Sequence, residues 1–112
     1  MIVDVLYFDG CPNHEPARNL VENVLSEHGI AAEIRDVEVT GAADAQDKRF
    51  LGSPTVRVDG IDVDPSAARL DRFGLMCRVY RHGNVASGVP PRWMIENAVS
   101  NATAKPRRDH DV

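Results

Sequence analysis

The sequence predicts an α/β domain in which helices cover both faces of a mixed four-stranded sheet. Patterns typical of strand, helix, strand, helix, strand, strand and helix follow one another along the 112 residues. The first strand–helix–strand unit implies a parallel pair with a right-handed crossover. The last two strands lack a long crossover between them, which favours antiparallel pairing. We therefore expect the strand order second, first, third, fourth, with the first strand in the interior.

Composition and charge exclude several classes of protein. Apolar residues make up 43% and charged residues 27%, and 13 basic against 17 acidic side chains give a net charge of −4. A general nucleic-acid binder would usually be basic, and no apolar run approaches the ~18 residues that a membrane span needs. The sequence shows no secretory signal and has two cysteines. We therefore expect a cytoplasmic protein with no nucleic-acid or membrane partner.

The predicted elements follow from apolar periodicity and turn residues. The apolar run Ile2–Phe8 predicts a buried strand, and helical spacing predicts a helix from Glu15 to His28, which Gly29 ends. The elements after these are a strand at 31–39, a weak helix at 42–51, a strand at 55–58 closed by Asp59-Gly60, a short helix from Asp64-Pro65 to Gly74, a strand at 75–81 turning at 82–84, and a helix at 91–102. We assign residues 1–104 to one domain and 105–112 to a flexible charged tail.

A cysteine at the junction of the first strand and the first helix is the main candidate for chemistry. Cys11 lies between Asp9-Gly10 and Pro12-Asn13-His14. A free thiol, with a pKa of about 8.5, is mostly protonated at neutral pH, but unpaired N–H groups at a helix start favour the thiolate. His14 could assist as a base or as a cation. The alternatives are an inert cysteine in a turn and a plain surface histidine.

The second candidate is Gly52-Ser53-Pro54-Thr55, at the start of the third strand. Proline belongs at a strand start because it cannot donate to a sheet ladder. A cis Ser53–Pro54 bond would direct the backbone of Ser53 outwards, free to pair with an extended substrate. The alternative is an ordinary trans proline.

Together, the two motifs resemble the thioredoxin superfamily over roughly Ile2–Ala102. The resemblance implies a three-layer βαβαββα sandwich in which Cys11 is the attacking thiol and Pro54 is a cis-proline that faces it. The implied activity is thiol–disulfide exchange or glutathione-linked reduction, acting on a small thiol or a protein disulfide without a bound cofactor. The resemblance also implies a substrate groove formed by Pro12, Ser53, Pro54 and Thr55.

Two residues depart from the family pattern. His14 replaces the second cysteine of CxxC, so a redox cycle would need glutathione, a partner thiol or Cys77. Pro16 would lack a needed donor in a helix that began directly after Cys11. It favours a helix start near Asn13 or His14, which weakens the dipole argument for the thiol.

A second, more distant resemblance concerns Cys77. The Gly-Cys-Pro-Asn turn and the later Cys-Arg-x-Tyr segment look like the thiol-bearing domain of organomercurial lyases, which implies mercury bound by Cys11 and Cys77, with Asp9 as a candidate acid. The strand pattern instead favours a core position for Cys77, on one face with Leu75 and Val79. About four residues, or ~13 Å, would separate Cys77 from the active-site end of its strand. We therefore expect neither a Cys11–Cys77 disulfide nor a shared metal ion.

Three functions remain open from the sequence. We favour an enzyme that exchanges thiols and disulfides through Cys11. The second hypothesis is a protein that handles mercury or cleaves organomercurials. The third is a non-catalytic binding module, which the absent second cysteine supports and the retained Cys11 opposes.

Overall fold

The computed structural model describes residues 1–104, so the predicted tail at 105–112 lies outside the described residues. Its elements, in chain order, are β1 (Ile2–Tyr7), α1 (His14–Glu27), β2 (Glu33–Glu38), α2 (Ala42–Asp47), β3 (Thr55–Val58), β4 (Ile61–Asp62), a 3-10 helix (Pro65–Arg69), β5 (Tyr80–His82), β6 (Val85–Ser87) and α3 (Arg92–Ala104). Within this part of the chain, none of the helices has the length and apolar character that crossing a membrane requires.

The four-stranded sheet has the order β2-β1-β3-β4, with β1 parallel to β2 and β3 antiparallel to both β1 and β4. This confirms the mixed four-stranded sheet and the interior position of the first strand, but the strand in the fourth position is not the one predicted at 75–81. Val3 and Val5 of β1 are fully buried, as an interior strand between helical layers requires. Because β1 and β3 are antiparallel, the last residue of β1 and the first residue of β3 lie at the same end of the sheet. The two candidate motifs therefore meet at that end.

Apolar clusters on the two faces of the sheet hold the helices in place. One face packs against α1 and α3, with Val3 and Val58 among its strand residues. Leu6 points to the other face, where it packs with Ala45 of α2 and with Phe50. Alternate residues of β1 thus supply both cores, which is the period of two expected for a strand.

Helix α1 begins at His14, one of the two starts that Pro16 predicts. Pro16 is then the third helical residue, and the first turn of a helix needs no intrahelical donor. Cys11 lies in the turn before the helix. At the other end, Gly29 has a φ of +64°, which confirms the predicted left-handed stop.

The fourth strand of the sheet differs from the one that the sequence predicts. It is Ile61–Asp62, which pairs with Arg57–Val58 through a two-residue turn. Asp59 and Gly60 both have positive φ, of 49° and 84°, the conformation that tight hairpin turns need. The Asp-Gly pair therefore continues the sheet rather than only ending β3.

The strand predicted at 75–81 is wrong. Only Tyr80–His82 is a strand, and it pairs with Val85–Ser87 in a separate two-stranded sheet. An apolar run normally predicts burial, but Leu75 and Val79 are 48% and 50% exposed. Cys77 is exposed as well, so its predicted core position is also wrong. Residues 75–79 instead pass beside Ser53, just before the start of β3, and we call this segment the strap.

The short helix predicted to run from Asp64-Pro65 to Gly74 begins as expected but ends early. Asp64 accepts a hydrogen bond from the Ser66 backbone N–H at 2.9 Å, and proline follows it at the first helical position. The helix is a single 3-10 segment that stops at Arg69. Runs of this helix type are short because their hydrogen-bond geometry is poor.

Candidate functional site

The turn that carries Cys11 is built from backbone hydrogen bonds at the end of β1. The Cys11 N–H donates to the Phe8 carbonyl at 3.2 Å, and the Cys11 carbonyl accepts from His14 at 3.4 Å. The cysteine is half-buried. Within residues 1–104, the backbone N–H groups of Asn13 and Glu15 donate to no protein acceptor. Such amides at a helix start are able to bind a nearby anion.

His14 lies on the β2 side of this turn. Its ring stacks on Tyr7, with the centroids 3.7 Å apart, and its Nε2 is 2.8 Å from a carboxylate oxygen of Asp36. Arg18 pairs with the other oxygen of Asp36. In the described part of the chain, the ring bonds to Asp36 and not to the Cys11 thiol. The role of His14 as proton relay stays a prediction.

Ser53 joins the Cys11 turn to the start of β3. The Ser53–Pro54 bond is cis, as predicted. The Ser53 hydroxyl accepts a hydrogen bond from the Phe8 N–H at 3.4 Å, and the Phe8 carbonyl in turn accepts from Cys11. Two hydrogen bonds through one residue therefore connect the two candidate motifs.

The backbone of Ser53 is not open to a ligand in this structure. Its N–H donates to the Met76 carbonyl at 2.8 Å, and its carbonyl accepts from the Arg78 N–H at 3.0 Å. Ser53, Pro54 and Thr55 are all buried. The expectation of a free Ser53 backbone is therefore wrong for this conformation. The roles of Pro12, which is exposed, and of these three residues in substrate binding stay predictions.

The buried side chain of Arg78 anchors the strap to the main sheet. Its side chain is 4% exposed and donates two hydrogen bonds to Asp62, at 2.6 and 3.1 Å, and one to the Thr55 hydroxyl at 3.1 Å. Asp64 lies 3.7 Å from the same guanidinium. Burial alone would lower the pKa of Arg78, but its bonds to Asp62 and the nearby carboxylates raise it above the ordinary value. Arg78 is therefore a fully charged anchor.

Two further contacts fix the strap. The Tyr80 hydroxyl donates to the Pro54 carbonyl at 2.6 Å, and burial raises the pKa of this phenol. Gly52 has a φ of +126°, and a Cβ at this position would lie 3.0 Å from the backbone N and Cα of Arg78. The strap can approach Ser53 this closely because residue 52 has no side chain.

A groove of about 280 Å³ adjoins the Cys11 turn. It runs between the ends of β1 and β2 and the first residue of the strap, and Asp9 gives it an acidic wall. Larger cavities of about 400 and 730 Å³ have no residue of the Cys11 turn in their walls. The groove is lined by Phe8, Asp9, Glu38, Val39, Thr40 and Leu75.

Cys77 lies at the same end of the sheet as Cys11. It forms an isolated parallel bridge with Ser53. Two strand spacings, about 10 Å, therefore separate its backbone from that of Phe8. The separation of ~13 Å predicted from the sequence assumes a strand at 75–81, which is absent. The expectation of no disulfide and no shared ion stays a prediction.

No group of three or more metal-ligating side chains occurs within residues 1–104. Comparison of the chain with family models, curated proteins and solved structures gave no match.

Proposed function

We propose that this protein is a thioredoxin-like thiol–disulfide exchange enzyme that acts through Cys11. One observation carries the proposal: a half-exposed cysteine lies between the end of an interior strand and the start of a 14-residue helix. The order of β1, α1, β2, α2, β3, β4 and α3 supports a βαβαββα thioredoxin-like fold, with the 3-10 helix and the β5–β6 hairpin inserted before α3.

The proposed reaction is two successive exchanges at one sulfur. The Cys11 thiolate attacks one sulfur of a disulfide R–S–S–R′, forming Cys11–S–S–R and releasing R′–S⁻. A second small thiolate, R–S⁻, then attacks the sulfur of R, which releases R–S–S–R and restores the Cys11 thiolate. The net result is reduction of R′ and oxidation of the small thiol. Glutathione is the candidate co-substrate in a cytoplasmic setting, and no bound cofactor is needed.

The first test compares two single-thiol proteins, Cys77→Ser and Cys11→Ser. We expect Cys11 to react with iodoacetamide at neutral pH about tenfold faster than Cys77, although Cys77 is the more exposed thiol. The reason for this expectation is that Cys11 directly precedes the start of a helix, where unpaired N–H groups favour a bound anion. Mass spectrometry of quenched samples gives both rates. Catalysed exchange should disappear in Cys11→Ser and persist in Cys77→Ser.

Cys77 serves as the matched control, since it is an exposed thiol outside any helix start. Equal alkylation rates at the two cysteines, or exchange that survives Cys11→Ser, would contradict the proposal. A Cys11 thiol that is unreactive in the folded protein would favour the binding-module hypothesis.

Mercury handling is the second candidate function, and one observation favours it. The bridge to Ser53 places Cys77 at the same end of the sheet as Cys11. Two thiolates suit a soft metal ion such as Hg²⁺.

Titration with Hg²⁺ tests whether the two thiols share an ion. We expect the affinity of Cys11 for Hg²⁺ to be the same in the parent and in Cys77→Ser, because the strap bonds hold Cys77 beyond Ser53. Competition with a small dithiol measures that affinity. Binding that weakens about a hundredfold on loss of the Cys77 thiol would instead promote the mercury function to first place.

A further inference from the structure

The strap occupies the backbone position that an extended substrate would need. Main-chain pairing with a strand edge uses the N–H and C=O groups of that edge. At Ser53 both groups already bond to residues 76 and 78 of the same chain. An extended polypeptide could pair there only after those bonds break.

The strap is held by more than these two bonds. The buried Arg78 guanidinium binds Asp62 and Thr55, and the Tyr80 hydroxyl binds the Pro54 carbonyl. The backbone at Gly52 lies so close to the strap that an added Cβ would be 3.0 Å from backbone atoms of Arg78. Several side-chain contacts, and not only the two backbone bonds, therefore hold the strap against Ser53.

Access to Cys11 itself does not depend on that edge. The thiol is half-exposed in its own turn, and the adjoining groove measures only about 280 Å³. A small disulfide needs to reach one sulfur atom and no backbone group. A compact disulfide can therefore reach Cys11 with the strap in place, whereas an extended substrate that pairs with Ser53 must first displace the strap.

We propose that the strap makes Cys11 selective for small, compact disulfides and excludes extended polypeptide disulfides. This inference rests on the proposed exchange function, and it names the substrate class of that site. Arg78 and Tyr80 are then specificity-determining residues that act by holding the strap against Ser53.

The test uses two mixed disulfides with the same chromophoric leaving thiol, 2-nitro-5-thiobenzoate. One carries 2-mercaptoethanol and the other a short unstructured peptide with a central cysteine. Chromophore release measures attack by the only thiol of the Cys77→Ser protein. Each rate is divided by the rate of N-acetylcysteine with the same probe, which removes intrinsic reactivity. We expect the normalised peptide rate to be about tenfold below the small-probe rate, since two backbone bonds must break.

A loosened strap should lift this discrimination. In the Arg78→Lys/Tyr80→Phe double variant, which keeps the charge and the ring, we expect the ratio of peptide rate to small-probe rate to rise about tenfold. Amide hydrogen exchange at Ser53 and Arg78 should accelerate in parallel. The matched control is Arg81→Lys, an exposed arginine with no ion pair within residues 1–104, which should leave the ratio unchanged.

The outcomes separate the two levels of the proposal. Equal normalised rates for both probes in the Cys77→Ser protein would overturn strap selectivity and leave the exchange function standing. A strap that opens by hydrogen exchange without any gain in peptide rate would overturn it as well. A Cys11 thiol no faster than N-acetylcysteine with either probe would overturn the exchange function itself. The comparison of probes in the Cys77→Ser protein needs no strap variant, so it decides even if the double variant does not fold.

Discussion

Replacing Arg78 by methionine should lower the free energy of unfolding by about 3–5 kcal/mol. The guanidinium is 4% exposed, and the two carboxylates around it, Asp62 and Asp64, are each 12% exposed. Methionine fills much of the same volume but leaves both carboxylates without a cation in a poorly solvated position. It also leaves the Thr55 hydroxyl without its donor. Urea unfolding followed by circular dichroism measures the change.

A double-mutant cycle separates the lost pair from lost packing. Asp62→Asn combined with Arg78→Met should cost less than the sum of the single changes, with a coupling of about 1–3 kcal/mol. Arg81→Met is the matched control, because Arg81 is exposed, and its effect should stay within about 0.5 kcal/mol. A loss at Arg78 no larger than at Arg81 would show that the buried cluster does not hold the strap.

Arg78 also marks the point where prediction from sequence fails. The segment 75–81 is mostly apolar and includes the β-branched Val79 and the aromatic Tyr80, a composition that favours a strand. What decides its structure is a long-range contact: Arg78 must meet Asp62 and Thr55, which lie 16 and 23 residues away in sequence. No local pattern encodes that meeting. The strap and the exposure of Cys77 therefore could not be predicted.

Other features carried a local signal. The interior position of β1 follows from its apolar run, which only Asp4 interrupts, and the start of α1 from the proline at position 16. The β3–β4 hairpin was also within reach, since Asp59-Gly60 is a strong signal for a tight turn. Only two residues, Ile61 and Asp62, follow the turn in β4, which is too short to show a strand pattern. At the site, the sequence located Cys11, and the resemblance to the thioredoxin superfamily implied the cis bond before Pro54. Neither predicted the strap residues that cover Ser53 and Pro54.

Replacing Gly52 by alanine should lower the free energy of unfolding by about 2–5 kcal/mol, from two separate causes. The first is its φ of +126°, which is unfavourable for any residue with a Cβ. The second is steric, because the added Cβ would lie 3.0 Å from two backbone atoms of Arg78. Backbone atoms of the strap cannot move aside without breaking the Arg78–Ser53 hydrogen bond.

Gly29→Ala measures the cost of a positive φ where no steric clash accompanies it. Gly29 also has a positive φ, of 64°, but an added Cβ there would have nothing within 4 Å. It should therefore cost only about 1–2 kcal/mol, the price of a left-handed conformation. The excess at Gly52 combines the close approach of the strap with a φ of +126°, which lies outside the left-handed α region. Amide exchange at Arg78 should accelerate in Gly52→Ala and stay unchanged in Gly29→Ala. Equal losses of stability, with Arg78 equally protected in both variants, would mean that the strap does not pack against Gly52 in solution.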